Sequence, residues 1–197
     1  FPTRRSSDLF DLLKSNMAQE IFAPSTWPGM KVPPAVMDIL SPLPNRLTPA
    51  ARPVRPALFA AAKQEFERLR QYFYVDSRSS IASPLVIAPK ATAPFIRFCG
   101  DYREINKYIS IPQQPIPIVQ HELVKAAKYK VYVDLDMANS FHQIPLSEEF
   151  SNILSVRTPW GLVRPKFLPE GVGPASGLFA RFFNLLKSGL LLSSTIF

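Results

Sequence analysis

The sequence predicts an α+β fold, an antiparallel sheet packed on helices, from three observations. Apolar residues recur at helical spacing over residues 56–73, short apolar or alternating runs bounded by turn residues follow, and an apolar helical stretch lies near the end of the chain.

Phe59, Ala62, Phe66, Leu69 and Phe73 lie three and four apart, and Pro56 stands where a first-turn proline sacrifices no hydrogen bond. An amphipathic helix is expected there. Residues 85–88 and 95–99 read as an antiparallel strand pair whose connecting Pro/Ala/Thr loop carries Lys90. Residues 117–127 read as a second helix. The segment YKVYVDLD, residues 129–136, alternates cleanly, with Val131, Val133 and Leu135 on one strand face and Tyr132, Asp134 and Asp136 on the other. Strands are expected over 153–158 and 162–167, around a Trp-Gly turn, and a helix over 175–192.

Upstream, residues 24–56 hold nine of the 21 prolines. Proline removes backbone donors and fixes φ too often here for a helix or a central strand, so the segment reads as a linker or extended arm. Leu12, Leu13, Met17 and Ile21 suggest a short helix before it. Residues 1–9, FPTRRSSDL, look like the translation of a sequencing adapter and are set apart from the fold. The expected organisation is therefore adapter (1–9), Pro-rich arm (10–55) and a folded domain (56–197).

With 197 residues, 47% of them hydrophobic, the chain is long enough for one domain with a sizeable core. A formal charge of +8 favours anionic partners, because lysine and arginine displace counterions from phosphates. Cys99 is the single cysteine, which excludes an intrachain disulfide, and with only His121 and His142 beside it a Cys/His zinc site is not expected. A reducing, intracellular setting fits, with the cytosol as the default. Residues 177–197, the most apolar stretch, are interrupted by Arg181 and Lys187, so no membrane span is expected.

Asp134 and Asp136 share a strand face two residues apart. Two such carboxylates can approach one divalent cation, since hard Mg²⁺ takes carboxylate oxygens, or they can form an ordinary solvated face; the spacing leaves both open. His142, Gln143 and Cys99 carry no accompanying hydrolase motif and read as packing and hydrogen-bonding residues.

Six segments arrive in a recognisable order: SPLVIAPK (83–90), RFCGDYREINK (97–107), PIP (115–117), VDLDMANSFHQIPL (133–146), TPWG (158–161) and LPEG (168–171). In that order and spacing the chain resembles the reverse transcriptase family, most closely that of gypsy-type LTR retrotransposons, over about residues 56–186. The resemblance implies the fingers and a partial palm of a right-hand polymerase, with an RNA template, a DNA primer and a deoxynucleoside triphosphate as partners and two Mg²⁺ ions in the complete site.

Position by position, the resemblance assigns Asp136 to the metal-holding palm aspartate and leaves Asp134 a polar strand residue. Phe141, five residues on, falls at the aromatic gate, where a flat ring against the nucleotide sugar leaves no room for a 2′-hydroxyl. Lys90 and Arg97 match the lysine and arginine that grip the triphosphate, a point charge and a planar fork. The loop between them reads Ala-Thr-Ala-Pro where relatives carry Asp-Gly or Lys-Gly turn residues. Asp101, Tyr102, Arg103 and Asn106 form the DYRxxN signature, which implies a template-proximal element knitting fingers to palm. Glu170 stands where relatives have glutamine or phenylalanine, so the position is carried over as nucleotide-adjacent only.

The family's other two catalytic aspartates belong to a Tyr/Phe-x-Asp-Asp hairpin expected beyond residue 197, and residues 171–197 contain no aspartate or glutamate. The sequence therefore reads as a polymerase fragment that is inactive by itself. Two other readings stand beside it: a non-catalytic basic module that binds nucleic acid, and a degenerate transposon relic. Salt-sensitive binding to an RNA/DNA hybrid that Asp136→Ala leaves unchanged would favour the module, and stops or frameshifts past Phe197 in the resequenced locus would favour the relic. On the polymerase reading, these 197 residues incorporate no labelled dTTP on poly(rA)/oligo(dT) with Mg²⁺ or Mn²⁺, because one aspartate cannot hold two cations; incorporation that disappears in Asp136→Ala would overturn this.

Overall fold

In the computed structural model the described residues are 11, 14–16, 29–91, 95–111, 118–127, 130, 137 and 139–188. The expected strand over 129–136, with Asp134 and Asp136, lies outside them except for Lys130, as do Leu12, Leu13, Met17 and Ile21.

Helix α1, Pro56–Tyr72, starts on its proline with no side-chain cap. Its apolar spacing turns Ala62, Phe66 and Leu69 inward, while Phe59, at the same spacing, stays 43% exposed near the helix start. The helix ends as the Phe73 N–H donates to the Leu69 carbonyl, and the chain then extends into β1, Tyr74–Asp76. Strands β2, Ser83–Pro89, and β3, Ile96–Gly100, form the expected antiparallel hairpin, in the register Leu85↔Gly100 to Pro89↔Ile96. Helix α2 is Val119–Ala126.

The expectation of a strand over 153–158 is corrected. Residues 148–153 are helix α3, Glu148–Ile153, and only Val156–Thr158 is strand, β4. Ser147 caps α3 by accepting from the Phe150 N–H, and Glu148 and Glu149 complement the first-turn dipole. Strand β5, Gly161–Pro165, follows a turn in which the Thr158 hydroxyl donates to the Gly161 carbonyl and accepts from the Trp160 N–H. Helix α4 is Ala175–Ser188.

Among the described residues five strands run in the order β1-β5-β4-β2-β3. All pairings are antiparallel except one: β2 and β4 run parallel, Ser83 opposite Val156 and Pro84 opposite Arg157. A parallel pair needs a long crossover, and the residues between β2 and β4 provide it. Phe66 and Leu69 of α1, with Phe73 at its C-cap, pack with Leu85, Val156 and Val163 of the sheet, continuous with Tyr102, Ile105, Ile144 and Leu168.

The proline-rich segment is docked onto this core, with Ala35 2% and Met37 6% exposed. Its lack of donors at proline is offset where non-proline residues bond outward. Met30 and Ala35 N–H groups donate to Gln143 and Pro145, Leu40 donates to Tyr108, and Leu47 donates to Ser80 while accepting from Ala82.

Tyr102 is 1% exposed and its ring lies where a side chain on Gly100 would go, a Cβ there falling 2.5 Å from Cζ. Gly100→Ala should therefore lower stability by about 1–3 kcal/mol, read by thermal melting. At the hairpin tip Phe95 is held at φ 63 and is 64% exposed, so Phe95→Gly should raise stability by about 1 kcal/mol by the same measurement.

Candidate functional site

The β2–β3 hairpin carries two of the predicted cations. Ala88 pairs with Arg97, and past the strand end the Lys90 N–H donates to the Phe95 carbonyl at 2.8 Å. Two-residue periodicity puts Lys90 on the side of Ala88 and Arg97, and both charged side chains line one cleft between the hairpin and α1. The cleft encloses about 130 Å³. Glu170 reaches it from the loop after β5, its Oε2 lying 4.0 Å from Arg97 Nε. With Arg97 59% and Glu170 46% exposed, that pair contributes about 0–1 kcal/mol.

Lys90, Arg97 and Glu170 thus meet in one place. Phe141 does not line the cleft: it sits on the 3-10 turn Ser140–Gln143 with its ring edge-on to Phe179 of α4, centroids 5.5 Å apart. Asp136 is outside the described residues.

Two charged cleft residues, Glu65 and Arg68, were missed in the sequence. Arg68 of α1 makes two hydrogen bonds of 2.7 Å to Glu65, which is 7% exposed, and its guanidinium lies 5.5 Å from the centroid of Tyr72. Glu65 and Arg68 do stand three apart, a helix-surface pairing visible in the sequence, but nothing local says which way the pair faces. His142 stacks on Phe73, centroids 4.0 Å apart.

Burial, with the Arg68 charge second, lowers the His142 pKa to about 4, and burial together with Glu170 raises the Cys99 thiol to about 11. At neutral pH both are uncharged, so neither opposes nor assists the cations of the cleft.

The DYRxxN residues lie beside the cleft. Asp101 accepts two hydrogen bonds from the Arg103 guanidinium, a third from the Arg103 backbone N–H and one from Arg52 of the arm, a partner that the sequence did not suggest. The Arg103 bond chiefly holds the Asp101 carboxyl below its ordinary range. Tyr102 donates to the Leu154 carbonyl at 3.3 Å. Asn106 donates to the Gly171 carbonyl at 3.0 Å and accepts from the Gly173 N–H at 2.9 Å, which fastens the loop that carries Glu170. Gly171, at φ +87, supplies the left-handed turn there.

Among the described residues no three His, Cys, Asp or Glu side chains gather as a metal group, and the Glu170 carboxylate faces Arg97. No described helix is long and apolar enough to cross a membrane.

The His142 shift has a sign that can be measured. Its folded pKa of about 4 lies below the ordinary 6.5, so between these values the unfolded chain binds a proton that the folded chain refuses. The stability is fully present above pH 6.5 and falls as pH drops toward 4, by roughly 3 kcal/mol. Denaturant melts across that window should show a shallower pH dependence in His142→Phe than in the wild type.

No family model matches the chain. The Retrovirus-related Pol polyprotein from transposon 412 of Drosophila melanogaster is 34% identical over 119 residues, 58% of this chain and 10% of the relative. The Transposon Tf2-3 polyprotein of Schizosaccharomyces pombe is 25% identical over 135 residues, 68% of this chain and 10% of the relative. The chain thus spans about a tenth of the length of these curated relatives. Among solved structures, the foamy viral protease-reverse transcriptase in complex with dsDNA superposes with a TM-score of 0.73 at 18% identity, over 94% of this chain and 39% of that one. The Prototype Foamy Virus Protease-Reverse Transcriptase CSH mutant gives 0.72 at 22% identity, over 94% and 26%. The chain therefore has an α+β fold like that of reverse transcriptase fingers and palm, and retrotransposon polyproteins are among its sequence relatives.

Proposed function

We propose that these residues are the fingers and first part of the palm of an RNA-directed DNA polymerase from a gypsy-type LTR retrotransposon, with residues 56–197 as the polymerase part, 10–55 as its arm and 1–9 as adapter. The observation that carries this reading is the meeting of Lys90, Arg97 and Glu170 in one cleft at the hairpin.

In this reading Lys90 and Arg97 hold the triphosphate, the ammonium as a point charge and the guanidinium as a planar fork. Phe141 discriminates against a 2′-hydroxyl, and Asp136 is the carboxylate for Mg²⁺. The metal, when bound, supplies positive charge to phosphoryl oxygens. The Asp101–Arg103–Arg52 cluster lies near the template, and Asn106 keeps the Glu170 loop against the hairpin. The likeness to a foamy viral protein solved in complex with an RNA/DNA hybrid supports nucleic acid as the partner, as does the formal charge of +8.

Titration of the chain with dTTP tests the nucleotide assignment. Lys90→Ala and Arg97→Ala should each weaken binding by about tenfold or more, the loss expected for a hydrogen bond to a charged group. Unchanged affinity in both variants would overturn it. Binding to an RNA/DNA hybrid should fall steeply as salt is raised.

A further inference from the structure

The turn that carries Phe141, Ser140–Gln143, is a single 3-10 turn entered through Asn139, which is held in the left-handed region at φ 47, ψ 49. It closes as the Ile144 N–H donates to the Phe141 carbonyl at 3.1 Å. The hydrogen-bond geometry of a 3-10 turn is poor, so what packs on it sets its position.

Contacts reach it from three sides. The Phe141 ring meets Phe179 of α4, and His142 stacks on Phe73 at the end of α1. The third contact comes from the proline-rich arm, where the Met30 N–H donates to the Gln143 carbonyl at 2.6 Å. The arm then follows the chain leaving the turn: the Ala35 N–H donates to the Pro145 carbonyl, and the Ala35 carbonyl accepts from the Ser147 N–H.

The approach of the arm depends on Gly29. Its φ is +66, and a Cβ there would fall 2.6 Å from Phe167 Cε1 and 3.5 Å from the Gln143 carbonyl oxygen. Phe167 is itself bridged to Pro145, and the Leu168 N–H donates to the Ile144 carbonyl, so the ring backs onto the exit of the turn. Any side chain at residue 29 must displace either that ring or the arm, and the donor to Gln143 belongs to the very next residue.

We propose that Gly29 and Met30 are positioning residues for Phe141, holding its turn through the Met30–Gln143 bond and so setting how strictly the ring discriminates deoxyribose from ribose. The selectivity part rests on the reading of Phe141 as the sugar gate; the hold of the arm on the turn stands on its own geometry.

Two measurements on the 197-residue chain test it. Hydrogen exchange over residues 140–147, read by mass spectrometry, reports on the turn without any ligand. Titration with dTTP and with ribothymidine triphosphate, which differs only by the 2′-hydroxyl, gives a selectivity ratio. Met30→Pro removes the donor, and should speed exchange over 140–147 about fivefold and lower the ratio about threefold. Met30→Leu keeps the N–H and nearly the volume, and should match the wild type in both. Gly29→Ala should act like Met30→Pro. Adding Phe167→Leu, which lacks the Cε1 and Cζ atoms that the new methyl meets, should restore part of the loss. Phe141→Ala should remove the preference for dTTP. Wild-type exchange over 140–147 in both Met30→Pro and Gly29→Ala overturns the positioning role. So does exchange that rises equally in α1, which marks general destabilisation, or an equal loss in Met30→Leu. A ratio that stays at the wild-type value in the arm variants while Phe141→Ala lowers it also overturns the proposal. If exchange quickens in the arm variants but Phe141→Ala leaves the ratio unchanged, the gate reading fails and the hold of the arm on the turn stands.

Discussion

The ring of Tyr102 occupies the space that a side chain at residue 100 would need, and this contact sets the end of the hairpin against the rest of the domain. β3 can descend onto the core only because Gly100 has no Cβ. The same ring sends its hydroxyl to Leu154, just ahead of the strand that pairs in parallel with β2. The next turn then delivers Asn106 to Gly171 and Gly173, so the loop bearing Glu170 is tied to the loop that follows the hairpin. One buried aromatic thus links three segments distant in sequence, and the cleft lies among them.

Charge in the cleft is controlled by burial more than by pairing. The groups that could titrate near neutrality, His142 and Cys99, are held neutral by desolvation, whereas Arg97 and Glu170 are exposed enough for water to weaken their attraction. What remains is a set of cations carried by two rigid elements. A hairpin and a helix, packed through Phe66 and Phe98 rings 5.8 Å apart, present charge at fixed positions. That suits an anion better than it suits proton transfer.

Much of the fold was legible because its signals are local. The three- and four-residue spacing of α1 and the paired runs of β2 and β3 depend only on which residues lie near in sequence. Helix α3 was legible in principle, since Ser147 followed by two glutamates is a helix start, but the apolar run after it drew the strand reading too far forward. The parallel β2–β4 pairing had no local signal. Nor did the docking of the proline-rich segment: proline density reports the loss of donors, not where the remaining donors find acceptors.

By itself the sequence determined the motif residues, their order and hence the reverse-transcriptase-like reading, because motif spacing survives in one dimension. It also identified Lys90, Arg97 and Glu170 as candidates without showing that they share a cleft. Only the tertiary structure decided that meeting, the exclusion of Phe141 from the cleft lining, and the entry of Glu65 and Arg68. The physical reason is that a helix face has no meaning until something packs against it. Periodicity tells which side chains of α1 share a face, and only the position of the hairpin makes one of those faces the wall of a site.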